Sequence, residues 1–363
     1  MRCCVECFHD PAIKSRIRHL RKIGHCSFCE AEDVYVYDTE IDSELTDDFE
    51  ALLDTYKAET VLPDGYPESE LRLLKDELAV NWTIFSLPPD KIDVLIRHIC
   101  KNKFMEDPEL FERRIGIIQR LDQEYMDRYS LLGEYNWEDF VSSIKTQNRF
   151  HSKQLNTSVL YEFLDHLKKL YKRGTLFYRA RISGATVFPL TQMGSPPAGL
   201  ASAGRVNPEG ISYLYLGNDR TTTLNEVRAG LHDYVSIAAF ELKEDISVVD
   251  LTGLDRISPF SGLNFTLHAI NKANLIKMSN EIAKPLRRQD SPLDYLPTQY
   301  ICEFIKTITF KDGSACCGIE YKSTMNKGGY NLAAFSGELF ECVEVKVHDV
   351  QELHYSVEPV IPG

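Results

Sequence analysis

The 363-residue sequence lacks the features that membranes and export require. It has no uninterrupted apolar run of about 18 residues, the minimum for a membrane-spanning helix. Its opening, MRCCVECFHD, has no apolar core of the signal-peptide kind, so the expected compartment is the cytoplasm. Basic residues are also scarce: 41 Lys and Arg face 54 Asp and Glu, a formal net charge of −13. That balance argues against a general nucleic-acid binder, because neutralising phosphates needs a basic surface. No GxGxxG follows a strand pattern and no GxxxxGK[ST] occurs, which removes support for a Rossmann hydride-transfer enzyme or a phosphate-loop NTPase. The charge is uneven. Residues 1–173 carry 24 basic and 33 acidic groups, and residues 174–363 carry 17 and 21, so the second half is close to balanced and compatible with a locally positive pocket.

Ten cysteines in a chain of this size and compartment do not suggest a disulfide framework. Four have a telling spacing: Cys4-x-x-Cys7 and Cys26-x-x-Cys29, with eighteen residues between the pairs. Each pair forms a knuckle that aims two thiolates at one point, and two knuckles complete a tetrahedron for structural Zn2+ with no position left open for catalysis. Between them, Asp10 to Gly24 reads as an amphipathic helix with Asp10 as cap and Pro11 at its first position. Cys316 and Cys317 precede a strand pattern and read as structural.

From Asp38 to Asp54 eight acidic residues occur without a basic one, while Ile41, Leu45, Phe49, Leu52 and Leu53 keep helical spacing, predicting one buried stripe and a solvated acidic face. Pro63-Asp-Gly-Tyr-Pro67 is a turn. Periodicity then predicts helices over 68–79, 89–101, 107–127, 137–144 and 158–171. The expected organisation is a zinc knuckle over 1–35, an α-helical domain over 36–173, and an α+β domain over 174–363. In the last of these, short strands are expected at 176–180, 211–216, 235–242, 247–251, 318–322 and near 343–347, with helices at 221–231, 273–284 and 298–308.

The richest chemistry lies between Leu176 and Glu226. Arg179 leaves a strand pattern in Phe-Tyr-Arg, Arg205 sits in Ala-Gly-Arg-Val-Asn-Pro, and Glu226 follows an aromatic strand on a helix capped by Asp219. Arginine's planar fork suits phosphate oxygens, and a carboxylate suits a ribose hydroxyl or positive charge forming on a sugar carbon, so the set points to a phosphorylated nucleotide. Arg181 shares a strand face with Arg179 and competes with it. Asn207 and Gly210 lie in the following turn, and Tyr215 is either core or a stacking platform.

These residues resemble the RES domain, a bacterial toxin domain named after an arginine, a glutamate and a serine. The likeness continues through Tyr295-Leu-Pro-Thr-Gln-Tyr-Ile-Cys-Glu-Phe-Ile305 and Gly318-Ile-Glu-Tyr-Lys-Ser323; Val206 stands where many RES domains have tryptophan. The resemblance implies a compact α+β fold related to ADP-ribosylating toxins, with NAD+ as substrate and a separate antitoxin protein as partner. It makes Glu226 and Arg179 catalytic, with Ser323, ahead of Ser336, as a hydrogen-bonding partner of the glutamate or ribose. Arg205, Asn207, Tyr215 and Arg181 become substrate-binding. The reaction implied is cleavage of the nicotinamide–ribose bond by hydrolysis or phosphorolysis, with NAD+ depletion and growth arrest; ADP-ribosyl transfer to a macromolecule and nucleotide binding without turnover are the alternatives. Residues 1–170 resemble the HEPN/RES region that accompanies some RES domains. The Arg-x4–6-His pattern of HEPN ribonucleases is met formally by Arg18 and His25, but across a helix whose backbone serves the metal site. The region therefore reads as a sensing, docking or homo-oligomerising module.

Overall fold

The computed structural model describes residues 1–284 and 291–354; positions 285–290 and 355–363 lie outside the described residues. It is mixed in class, 39% helix and 21% strand. The chain divides into two compact units that interleave in sequence. The first comprises Met1–Phe140, Lys153–His166 and Leu254–Lys277; the second comprises Val141–Ser152, Leu167–Gly253 and Met278–Gly363. The boundaries expected from the sequence fall at 35/36 and 173/174; each unit includes a segment from beyond the second of these.

In the first unit β1 (Arg2–Cys4), β2 (Ile23–Gly24) and β3 (Val34–Asp38) form a small sheet in the order β1-β3-β2. The helix Pro11–His19 is capped as expected, Asp10 accepting from the Ala12 and Ile13 amides at 2.9 and 3.0 Å. It stops five residues before Gly24, because Ile23 and Gly24 pair with Tyr35 and Val34. Helix Thr46–Leu53 buries Phe49, Leu52 and Leu53, Leu45 just before it is buried too, and Ile41 stays exposed. The knuckle segment shares its core with the helices: Phe8 and Phe85 rings lie 5.2 Å apart, and Phe49 meets Phe85 and Phe260 at 5.6 and 5.1 Å. A second three-stranded sheet is made by β4 (Lys57–Ala58), β5 (Arg72–Leu73) and β6 (Arg114–Gly116), in the order β4-β6-β5. The helices expected over 68–79 and 107–127 are therefore broken, since short strand pairing takes residues from each.

The second unit is built on eight strands: β7 (Lys168–Tyr171), β8 (Leu176–Ser183), β9 (Leu214–Gly217), β10 (Tyr234–Leu242), β11 (Ile246–Asp250), β12 (Cys316–Lys322), β13 (Tyr330–Ala334) and β14 (Phe340–Asp349). Their order is β14-β10-β8-β9-β13-β12-β11-β7, and every pairing but β11–β12 is antiparallel. One face carries Phe177, Leu214, Leu216, Phe240, Val248 and Leu332 as a continuous core. Two strands differ from expectation. The helix predicted to Tyr171 ends at Asp165, and 168–171 joins the sheet edge opposite β11. Residues 330–334 form an interior strand where the sequence pattern predicts no element. The helix expected from 273 begins at Phe265.

Helix Phe265–Ala283 places His268 in the first unit's core, with its ring centroid 4.9 Å from Trp82 and 5.6 Å from Phe163. Neither ring nitrogen has a hydrogen-bond partner among the described residues. Burial, followed by the nearby Lys272 and His166 charges, pushes the imidazole down to about 3. The folded chain therefore resists a proton that the unfolded chain accepts near pH 6.5. The neutral ring's full stability is present above that value and is lost as pH falls towards 3, at up to about 1.4 kcal/mol per pH unit for one proton. His268→Leu should flatten the acid limb of a stability–pH curve by denaturant titration between pH 6.5 and 4. An unchanged slope would mean that His268 does not stay neutral.

Candidate active site

The site lies where the large sheet comes apart. β8 and β9 share one pairing, Tyr178 with Gly217. Beyond it the ladder ends, and the residues that would continue it, Arg179 and Ala180 on one strand and Tyr215 and Leu216 on the other, line a cavity of about 340 Å³. Glu226, Arg205, Asn331 and Tyr321 complete its polar wall.

Glu226 ends the helix Arg220–Glu226, whose start is fixed by Asp219 accepting from the Thr222 amide at 2.7 Å. The carboxylate is exposed to the cavity, and Oε1 accepts two hydrogen bonds, from Ser323 Oγ at 2.6 Å and from Asn331 Nδ2 at 2.7 Å. Ser323 closes β12, and its oxygen also accepts from the Met325 and Asn326 amides at 3.2 and 3.1 Å. With both lone pairs used this way, its proton is directed to the carboxylate. Asn326 Nδ2 then reaches Thr222 Oγ1 at 2.8 Å, tying the turn to the helix that carries Glu226. Gly329 completes the lock: a Cβ there would run into Thr222 Oγ1.

Arg179 is half-buried, and its buried Nη1 has no hydrogen-bond partner among the described residues. Burial first, and then the like charge of Arg181, push the guanidinium down to about 10, so it remains a cation at neutral pH. Leaving a buried donor unpaired costs about 1–3 kcal/mol, which an anion placed there would recover. Arg205 is anchored through Nη1 to the Ile282 carbonyl at 2.7 Å, and its backbone carbonyl accepts from Thr298 Oγ1 at 2.8 Å. Gln299 Nε2 holds the same loop by donating to the Gly204 and Asn207 carbonyls at 2.7 and 3.0 Å.

The remaining residues singled out from the sequence are placed differently. Asn207 is buried, donating to the carbonyls of Ser202, Pro208 and Ile211 and accepting from Tyr215 O–H, so its amide shapes the arginine loop and does not line the cavity. Tyr215 lines the cavity with its hydroxyl turned to Asn207. Arg181 is spent elsewhere, donating to the Gln192 carbonyl and lying 4.6 Å from the Phe188 ring centroid. The glycines that line the cavity are Gly204 and Gly217; Gly210 is not among its lining residues. Val206 is fully buried. Ser336 caps the short turn Gly337–Leu339 through the Glu338 amide. Asn331 was missed as a site residue, although an amide amid Tyr-Asn-Leu-Ala-Ala was a usable signal: a polar side chain in an apolar interior strand must be satisfied by something.

Residues 176–358 match the family model of the RES domain. The chain belongs to the RES domain family. That family is associated with NAD-related toxin function. The RES segment spans Arg179, Arg205, Glu226, Ser323 and Asn331, all of which surround or support the cavity. No curated protein and no solved structure matches the chain.

In the first unit, Cys4, Cys7, Cys26 and Cys29 form a group whose sulfurs all lie within 4.8 Å of one another, with separations of 3.8, 3.4 and 3.5 Å along Cys4–Cys7, Cys4–Cys29 and Cys7–Cys26. Tetrahedral Zn–S bonds of about 2.3 Å give sulfur separations of about 3.8 Å, so the group is of the right size to hold a metal ion. Among the described residues no helix is long and apolar enough to cross a membrane.

Gly204 tests the architecture of the RES site. A Cβ there would lie 2.8 Å from Tyr215 Oη and closer still to Asn207 Oδ1. Gly204→Ala should cost about 1–3 kcal/mol of stability by displacing the arginine loop, measured as a lower urea midpoint. An unchanged midpoint would mean that the loop is not packed this way.

Proposed function

We propose that the chain cleaves NAD+ at the nicotinamide–ribose bond, by hydrolysis or phosphorolysis, and acts as a toxin or defence effector that depletes NAD+. The observation that carries this reading is a glutamate held by two hydrogen bonds on one oxygen, lining the same cavity as an arginine whose buried Nη1 has no partner among the described residues. Ser323 and Asn331 fix Oε1, which leaves Oε2 as the oxygen for a ribose hydroxyl. Arg179 and Arg205 suit the diphosphate, Arg179 because binding there satisfies a buried donor.

The bond to nicotinamide breaks heterolytically. The electron pair leaves with the ring nitrogen, turning a cationic pyridinium into neutral nicotinamide, so no general acid is needed. Positive charge develops over C1′ and the ring oxygen, as in glycoside hydrolysis, and the Glu226 carboxylate stabilises it. Water or phosphate oxygen then bonds to C1′; with water the proton passes to the carboxylate or solvent, and with phosphate the product is ADP-ribose 1″-phosphate. Ser323 and Asn331 act through Glu226 as positioning residues. An antitoxin protein is the partner that this reading implies, and Zn2+ is the ion proposed for the four cysteines, in a structural role.

Purified protein incubated with NAD+ should release nicotinamide. Glu226→Gln should lower the rate at least about 100-fold, in line with loss of a preorganised electrostatic group, while Asn331→Ala should lower it less with its fold retained by circular dichroism. Phosphate dependence would identify the acceptor. Label transferred to protein would move the reading to ADP-ribosyl transfer, and tight NAD+ binding without release would move it to a binding module. Metal analysis should find one Zn2+ per chain, and Cys7→Ser should lose it and lower the melting temperature. A metal-free protein of unchanged stability would exclude the structural metal.

A further inference from the structure

A second cavity, of about 130 Å³, lies within the first unit. One wall is the Phe265–Ala283 helix at Lys272. Another is the widened turn Glu77–Asn81, closed by an i to i+5 bond from the Trp82 amide to the Glu77 carbonyl at 3.2 Å. Such turns are uncommon and recur at binding sites. Arg72 and Arg120 close its rim.

Lys272 is 2% exposed, and its one hydrogen bond among the described residues goes to the Asp255 carbonyl at 2.8 Å. An ammonium has three protons to place, and burying it without a counter-charge costs several kcal/mol. Among the described residues no carboxylate forms an ion pair with Nζ; the Asp255 and Asp10 carboxylates act on it only from farther away. The acids lining the cavity are engaged: Glu77 accepts from Tyr56 O–H at 3.0 Å and from Asn81, and Glu70 pairs with Arg120 at 3.5 Å. Arg72 stands 4.0 Å from Glu77. Burial raises the Glu77 carboxyl, which makes it a poorer counter-ion, and lowers the Lys272 ammonium only to about 8, which leaves it charged at neutral pH. Three cations thus surround the space with two acids. The volume equals about four water shares of roughly 30 Å³ each, too little for a nucleotide and enough for a compact anion.

We propose that this cavity is a binding site for a small oxyanion, phosphate or a short carboxylate, held by Lys272 and Arg120. The site is independent of the NAD+ reading, since none of its residues lines the RES cavity.

The test is calorimetric titration of the full chain with inorganic phosphate and, separately, with acetate, at ionic strength held constant with KCl. The same titrations on Arg179→Ala remove the competing arginine of the RES site. One of the two anions should bind saturably in both proteins and raise the melting temperature where KCl does not. Arg120→Gln and Lys272→Met should each weaken binding at least tenfold. Lys272→Met, relieved of its buried charge, should melt higher than wild type in anion-free buffer; if that variant does not fold, Arg120→Gln, altered at the rim, decides alone. The proposal is overturned if neither anion binds, if chloride has the same effect, or if binding survives in Arg120→Gln with unchanged affinity. A cavity holding only water would give the first of these results.

Discussion

Glu226 Oε1 accepts one hydrogen bond from the end of β12 and another from β13, while its own helix starts just after β9. That convergence constrains the second unit. β13 must lie between β9 and β12 for Asn331 to face the helix, and the β12–β13 turn must bend so that Ser323 points inward. Ser323 satisfies two turn amides and the carboxylate at once, and Asn326 ties the turn back to Thr222. The carboxylate is therefore oriented before anything binds.

Around this fixed anion the chain tolerates costs that a purely structural domain would avoid. The β8–β9 ladder stops after one pairing, which gives up sheet hydrogen bonds and opens the cavity. Arg179, half-buried, holds at that opening a buried N–H without a partner among the described residues. Lys272 presents a related situation in the first unit, a buried cation beside a space of limited size. His268 is the contrasting case: packed against Trp82 and Phe163, it lines neither of the two cavities described and is held neutral. Burial alone does not mark a binding group; burial next to accessible space does.

Some of this was legible from residue order. The two cysteine pairs, the Asp10 and Asp219 caps, the stripe of Leu45, Phe49, Leu52 and Leu53, and most strands after Leu176 depend on local spacing, and local spacing is what a sequence displays. Arg179, Arg205, Glu226 and Ser323 were legible as a set because a family pattern joins them. Tertiary context overrode local pattern elsewhere. Residues 168–171 carry helical periodicity but complete a sheet edge, and Asn207 resembles a ligand contact but supports a loop.

By itself the sequence determined that the chain has a mixed α and β composition, a cysteine set spaced for a metal, and a RES segment with an arginine–glutamate–serine signature. Each of these rests on residue identity and short-range spacing. Only the tertiary structure decided that Asn331 shares Glu226 Oε1 with Ser323, that Arg179 and not Arg181 faces the cavity, and that Lys272 lies beside a second one. Those outcomes depend on which strand lies beside which and where a ladder ends, relations between residues up to about a hundred positions apart that no local pattern encodes.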